Sequence, residues 1–563
     1  MKINKFIYLA LALILIIFKG CKEEFFDTPP LASETEVSFY TNFDNLDAAV
    51  IGCYSQLNTQ GFIDRGNIML FGEITSDDME AGGKDPNDSP ALQEFDRLLH
   101  TPQHTEITDV WGYGYKGIYF CNMFLKYFPT LNDGSLGDGN VSLLNIRTGE
   151  VKFLRAMYYF LLSEVFGGVV VLDEPALLSE LETVKRGTVK EVYELIEQDL
   201  KDAIKLLPAK SNISDVGRAS KESAQALLAK VLLFESSYAK YKAGDERFGS
   251  VQQRWDEALS FAENVIKSPS LSLPGIDGQT YETFWSPTTD AYRWLFTVQG
   301  DNSSESIFEI QSICIADGNG WIRERGNMFT KWTSFRQFTN PFTNALTDFG
   351  WGWIAPSQKL HDIFEDGDPR IKTIFGSEED TALVIAVDND KVEHQVWVNI
   401  VSTSPTGYNL RKYESSPDDH WITAGSEWNR GPINEKLLRL AEVYLIAAEA
   451  AYENDQTDLA LTYLNTVRLR ADMCDGSQDN IPSQLNSLSI NDIRDERRRE
   501  LAGEGHRFYD IVRWNIADDM LSDQEILGGQ LKLDYVAGKH DFFPIPQTEI
   551  DVLNGAVKQY EGW

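Results

Sequence analysis

Between residues 270 and 431 the chain sets Tyr281, Trp285, Trp294, Trp321, Trp332, Trp351 and Trp353 among glycines, serines, asparagines and aspartates, with Arg323 beside them. These tryptophans follow no single helical stripe, so burial of one helix face does not account for them. An aromatic ring offers a flat apolar face, and guanidinium, amide or carboxylate groups offer hydrogen bonds around it. That mixture suits a sugar ring, whose C–H face is apolar and whose rim carries hydroxyls. The structural alternative is that each tryptophan pins its own loop.

A second concentration of reactive groups lies further on. Arg494, Arg497, Arg498 and Arg499 alternate with Asp495, Glu496 and Glu500, and His506, Arg507 and Asp510 follow. A hydrolase could use such acids and a histidine. Helical spacings of three and four favour ion pairs instead, so the segment reads as a network joining helices. His100 and His104 are four apart, but Thr101, Pro102 and Gln103 between them do not give the HExxH of a zinc peptidase. There is no GxSxG elbow and no GxxxxGKS or GxxxxGKT loop. With 86 acidic residues, chance carboxylate pairs are numerous, and the separation a glycosidase needs is spatial. Cys53, Cys121, Cys314 and Cys474 are far apart and form no CxxC. The expectation is no catalytic residue, no cofactor, no metal site and no disulfide frame.

The first residues read as an address. Lys2 and Lys5 precede an apolar run from Ile7 to Phe18, followed by Lys19, Gly20 and Cys21. The run is shorter than the roughly 20 residues of a spanning helix. Its basic, apolar, small-residue order reads as a secretory signal. Cleavage before Cys21 would free its amine, and its thiol could carry a diacylglycerol. An ordinary signal peptide with an incidental cysteine, or a retained anchor helix, are the competing readings. Residues 1–20 then form the signal and 21–36 a tether interrupted by Pro29 and Pro30. Loss of Lys2, Lys5 and Lys19 takes the net charge from −35 to about −38. Such a body repels nucleic acid and acidic lipid, so membrane attachment falls to acyl chains. Neutral ligands remain compatible, and cationic ones are favoured.

Three larger regions must position these groups: a helical part at 37–269, the loop-rich insert at 270–431, and a second helical part at 432–563. Apolar periodicity predicts helices over 45–57, 105–128, 149–168, 188–206, 219–239 and 253–268. Thr188 and Glu191 have capping-box spacing, and Gly167 and Gly168 stop the strongly apolar 149–168 segment. Segments 432–453 and 458–473 read as another helical pair, followed by 490–514. Aromatic and alanine positions in these pairs are tetratricopeptide-like, without a clean 34-residue period. The expected fold is mainly α: a tetratricopeptide-like helical hairpin scaffold with a loop-rich insert containing a few short strands, such as 306–314.

Several of these segments resemble the SusD/RagB family of Bacteroidetes surface lipoproteins. They are LRAMYYFLLSEVFGGVVV (154–171), ASKESAQALLAKVLLFE (219–235), RLAEVYLIAAEAAY (439–452), LNTVRLRA (464–471), RDERRRELAGEGHRFYDIVRW (494–514), FFPIPQTEI (542–550) and the terminal YEGW. The resemblance covers nearly the whole chain and includes the Cys21 start. It implies a non-catalytic binder of oligosaccharide at the outer membrane. Its implied partner is a TonB-dependent transporter of the SusC type, above which it acts as a lid. Lys22, Glu23 and Glu24 match the acidic stretch that family members carry after the lipidated cysteine, a feature associated with surface display. The loop FGEITSDDMEAGG (71–83) resembles a segment the family places near its ligand, which makes Asp77, Asp78 and Glu80 candidate contacts for sugar hydroxyls; local capping is their alternative role. The candidate ligand set is therefore Asp77, Asp78, Glu80, Tyr281, Trp285, Trp321, Arg323, Trp332, Trp351 and Trp353. Peptides or glycopeptides are the alternative cargo. A secreted glycoside hydrolase and a purely structural tetratricopeptide scaffold are the readings from other classes.

Overall fold

Helical faces that repeat every three to four residues pair along the chain into one continuous array. The computed structural model describes residues 36–563 except 60–61, 86, 133, 135, 182, 282–289, 313–326, 378–379, 402, 415–430, 523–524, 527–529 and 532–534. Its main helices are α1 (Leu46–Ser55), α2 (Ile63–Ile74), α3 (Thr105–Tyr127), α4 (Asp138–Phe166), α5 (Val189–Leu206) and α6 (Lys221–Tyr241). They continue with α7 (Trp255–Ile266), α8 (Leu440–Glu453), α9 (Thr457–Met473), α10 (Ile490–Leu501) and α11 (Arg507–Arg513). Each helix from α3 to α9 packs on the next, and α8 also packs on α10. Thus α7 and α8 lie against each other although the whole insert separates them in sequence. The insert leaves the scaffold and returns to it at one place.

Local chemistry sets the helix ends. Thr188 accepts from the Glu191 N–H while Glu191 bonds back to the Thr188 N–H, completing the predicted box. Ser220 and Ser223 do the same for α6. α4 stops at Gly167, whose φ of +73° suits glycine. This helix begins at Asp138 rather than at 149, and α2 is a wide-turn helix with i→i+5 bonds such as Asn67 N–H to Phe62 O.

The strands are short. β1 (Met79–Ala81) pairs with β5 (Ile354–Pro356), and β2 (Ser306–Ile310) with β10 (Glu435–Arg439). β6 (Phe375–Gly376) pairs with β9 (Asn409–Leu410). A four-stranded antiparallel sheet joins β3 (Gln337–Thr339), β4 (Leu346–Asp348), β7 (Thr381–Val387) and β8 (Glu393–Val401) in the order β4-β3-β8-β7. It has a small core of its own, with Phe335, Phe338, Phe349, Val384 and Ile400. The helix expected from 432 is corrected here: 435–439 is a strand, recruited by the β2 edge, and α8 begins only at Leu440.

The predicted ion-pair network is the polar core of the scaffold. Arg370, Arg439, Arg468, Arg470, Arg497 and Arg513 are all fully buried. Glu500 accepts from Arg439 Nη1 at 2.6 Å, from Arg370 Nη1 at 3.0 Å and from Arg470. Arg513 holds Glu449 in a fork, at 2.5 and 2.7 Å. Burial pushes the Glu500 carboxyl up, but Arg470, Arg439 and Arg370 more than offset this and bring it down to about 2.

Candidate functional site

One short ribbon joins the insert to the early loop of the scaffold. In the β1–β5 pair Met79 lies opposite Pro356 and Ala81 opposite Ile354. The ladder runs on, with Gly82 N–H donating to Trp353 O at 2.8 Å and Gly83 N–H to Gly352 O at 2.6 Å. From the other side, Trp353 N–H donates to Trp332 O and Trp351 N–H to Lys331 O, both at 2.8 Å. Residues 350–353 are therefore held between two backbones. Glycine is needed at this crossing: Gly352 has a φ of +61°, and a Cβ on Gly82 would lie 2.1 Å from Gly352 O.

This frame gathers three of the predicted tryptophans. Trp332 is fully buried and stacks on Trp353 at 5.9 Å and 20°. Trp351 lies 4.5 Å from Trp353 at 56°, and both are half-buried. Trp332 is thus the backing, while the other two form the accessible surface. Glu80, half-buried opposite Ala355, shares the ribbon face of Trp353. Gly82, next along that face, places no side chain across the indole. Arg336 completes the rim: its Nη1 is 3.4 Å from Asp88 Oδ2 and 3.5 Å from Trp351 O. Its buried Nε has no hydrogen-bond partner among the described residues.

A second aromatic patch adjoins the first. Thr403 Oγ1 donates to Gly83 O at 3.0 Å and brings in the segment 403–410. Tyr408 stacks on His361 at 5.1 Å and 7°, with its hydroxyl 3.4 Å from Gln358 Oε1. β5 and β9 touch, which sets the two patches on neighbouring strands. Sequence reasoning missed Arg336, His361 and Tyr408. Only the Ser-Pro-Thr-Gly turn before Tyr408 could have marked it as a presented aromatic.

Other candidates fall elsewhere. Asp77 and Asp78 were expected to face a ligand, but both are buried and turned toward the scaffold. Arg507 forks onto Asp77 at 2.7 and 2.9 Å, and Arg498 reaches both carboxylates. Burial raises the Asp77 carboxyl, yet Arg507 and Arg498 outweigh it and hold Asp77 well below the usual range. Ser357 meanwhile bonds the Asp77 and Asp78 carbonyls at 2.8 and 2.7 Å, so this pair ties the loop carrying Glu80 to both α10–α11 and β5. Tyr281 belongs to a different aromatic pair, 4.6 Å from Trp294, and bonds Asp277. Trp285, Trp321, Arg323 and Cys21 lie outside the described residues.

The strongly shifted acids are not at this face. Burial raises Glu164 to about 7, against the pull of Lys230. It borders a small cavity of about 40 Å³, room for a water but not for a sugar. A groove of about 960 Å³ beside α1 is lined by Ile51, Leu57, Val216, Phe308 and Ile310 and includes none of the tryptophans. Among the described residues no group of three or more His, Cys, Asp or Glu side chains is placed to hold a metal ion.

Known proteins match this architecture along most of its length. The SusD family model matches residues 304–563, and the model described as starch-binding associating with outer membrane matches 74–233. SusD-like protein P25 of Formosa agariphila is 26% identical over 557 residues, covering 94% of each chain. A solved laminarin binding SusD-like protein is 28% identical with a TM-score of 0.69, covering 93% of this chain and all of that one. Surface glycan-binding protein A from Bacteroides thetaiotaomicron, solved in complex with laminarihexaose, has the same fold at 22% identity and a TM-score of 0.69, covering 92% of this chain and 99% of that one. The chain belongs to the SusD/RagB family.

Proposed function

We propose that this protein is a non-catalytic, lipid-anchored binder of neutral oligosaccharide at the outer membrane, and that it passes its ligand to a TonB-dependent transporter of the SusC type. One observation carries the binding reading: two half-buried indoles, backed by a buried third, lie beside a guanidinium whose Nε is unbonded among the described residues. Stacking takes the C–H face of a sugar, and Arg336 and Glu80 meet its hydroxyls. The laminarin-binding relative makes laminarin and laminarihexaose the first probes. In this reading an acyl chain on Cys21 holds the body at the membrane.

Titration calorimetry with a panel of neutral oligosaccharides, laminarihexaose included, tests the reading. Trp353→Ala is expected to weaken the retained ligand by at least tenfold, or about 1.4 kcal/mol. A panel with no ligand, or a Trp353→Ala protein that binds like the parent, refutes the placement. Retention of peptides in place of sugars moves the cargo to the peptide class. Recovery of a membrane barrel with the protein under mild detergent tests the partner.

A further inference from the structure

Helical spacing along α3 puts Trp111, Tyr115, Tyr119 and Asn122 on one stripe. An extended segment lies beside it. The Tyr115 hydroxyl donates to Val170 O at 2.8 Å, and Asn122 Nδ2 donates to Leu172 O at 2.9 Å. The Tyr159 hydroxyl also donates to Leu172 O, at 2.8 Å, and accepts from the Leu172 N–H at 2.7 Å. A cavity of about 320 Å³ lies between the stripe, the segment after Val170 and the turn Gln547–Val552. Its floor is aromatic. Trp111 is almost wholly buried and meets Tyr115 at 4.7 Å and 43°, while Tyr119 is 38% exposed at the edge. Gly112 also lines the cavity, and a Cβ there would meet nothing within 4 Å, so the mouth is open on that side.

Two carboxylates face the same space. Glu549 is half-buried and takes a hydrogen bond from the Trp111 side chain, and Glu174 is exposed. Neither has a cationic partner among the described residues. Acids on the nearby α5 are paired: Arg155 Nε reaches Asp199 at 2.7 Å, and Arg254 Nη1 reaches Glu197 at 2.6 Å. Arg186, whose charge is felt at Tyr115, gives its nitrogens to the Gly168, Phe166 and Lys558 carbonyls instead. Burial raises the Glu549 carboxyl, and only the Trp111 bond opposes it.

We propose that this pocket binds an organic cation on an apolar stem, an alkylammonium or the side chain of a lysine or arginine. It shares no residue with the Trp351–Trp353 face and does not depend on the reading given to that face. Three observations select the occupant. Aromatic faces attract a cation held over them. A half-buried carboxylate without a counter-ion is stabilised by one. The walls at Leu172 and Leu553 are apolar, so an alkyl stem covers what a bare ion would leave open. A neutral apolar molecule would cover those walls and leave Glu549 unpaired.

Calorimetry of the full chain with hexylammonium, and with 1-hexanol as the uncharged probe of the same stem, tests this. Hexylammonium is expected to bind at least about tenfold more tightly than hexanol. Glu549→Gln should weaken hexylammonium about threefold to tenfold and hexanol less than about twofold, and Glu174→Gln should weaken hexylammonium by a smaller factor. Gly112→Leu puts a side chain in the open mouth and should weaken both probes at least about tenfold without lowering the melting temperature. Equal affinity for the two probes, or no binding of hexylammonium, overturns the proposal. So does hexylammonium binding that survives Gly112→Leu, because it then reports general attraction by a chain of net charge −35. If Glu549→Gln does not fold, Gly112→Leu and Glu174→Gln decide by the same criteria. Acetyl-Leu-Lys-Leu-amide separates the two sources of the cation. Tighter binding than hexylammonium, with competition between them, assigns the pocket to a basic side chain on a peptide, and weaker binding assigns it to a free amine. Saccharide binding should be the same in all three variants as in the parent.

Discussion

In the scaffold, Glu500 collects Arg439 at 2.6 Å and Arg470, and takes a third buried arginine, Arg370, from the base of the insert. At the insert face Arg336 is also largely enclosed, but its contacts are 3.4 and 3.5 Å long and its Nε bonds nothing among the described residues. Both regions use guanidinium groups and aromatic rings. The difference is saturation. The scaffold spends its polar groups on one another, so they set helix positions. At the insert face the Arg336 guanidinium is left with a polar group unbonded among the described residues and Trp351 and Trp353 stay half-buried, which is the condition for holding something else. A buried charge is costly without partners, so the first arrangement is intolerant of loss and the second of crowding.

The largest test of this contrast removes a partner from the scaffold. Glu500→Ala leaves Arg370, Arg439 and Arg470 without a shared acceptor. A loss of about 3–5 kcal/mol in urea unfolding is expected. A loss below about 1 kcal/mol, with altered glycan binding, would place this acid with the ligand rather than with the fold.

A somewhat smaller effect separates two kinds of buried acid by pH. Glu500 sits at about 2 in the folded protein, below its unfolded value near 4.5. Its contribution is present above pH 4.5 and is lost as pH falls toward 2. Glu164 sits at about 7, above its unfolded value. Its contribution is present below pH 4.5 and is lost as pH rises through 7, a slope worth about 3 kcal/mol. Glu164→Gln should reduce the fall of stability between pH 4.5 and 7 in thermal melts, leaving the part that comes from Asp301, which burial also raises to about 7, and leaving the acid limb below 4.5 unchanged. An unchanged slope in that variant would show that Glu164 is not a protonated member of the core.

Much of the scaffold was legible because its determinants are local. The Thr188–Glu191 box and the Gly167 stop act within a few residues; the charges at 494–500 announce ion pairs by type, while Glu500 and Arg498 find their partners 30 to 420 positions away. The failures involve partners far away in sequence. Nothing within 71–83 says that Asp78 meets an arginine 420 positions on, so Asp77 and Asp78 serve as an internal tie while Glu80 of the same loop stays half-buried on the ribbon. The stretch 435–439 has apolar spacing compatible with the helix that follows it, and only the β2 edge makes it a strand. The sheet had a readable signal in the alternating TALVIAV and EHQVWVNIV around a polar turn. Of the candidate ligand residues, the structure brings Trp332, Trp351, Trp353 and Glu80 together along the β1–β5 ribbon. Which indole is backing and which is surface depends on the crossing at Gly82 and Gly352, and composition carries no trace of that.

The smallest expected effect falls on the residue that defines the insert side of the contrast. Arg336→Gln shortens the side chain, removes the charge and deletes the unbonded Nε. Its two long contacts contribute little to the fold, so stability should stay within about 0.5 kcal/mol of the parent. A sugar hydroxyl that accepts from Arg336 would lose a charge-assisted bond, and affinity should fall about threefold to tenfold, or roughly 0.7–1.4 kcal/mol. The change should appear for short and long saccharides alike, because Arg336 borders the Trp351–Trp353 site. A stability loss above about 2 kcal/mol with unchanged affinity would make Arg336 equivalent to Arg439. The insert would then be a second saturated core, and its tryptophans would be left without a polar rim to orient a sugar.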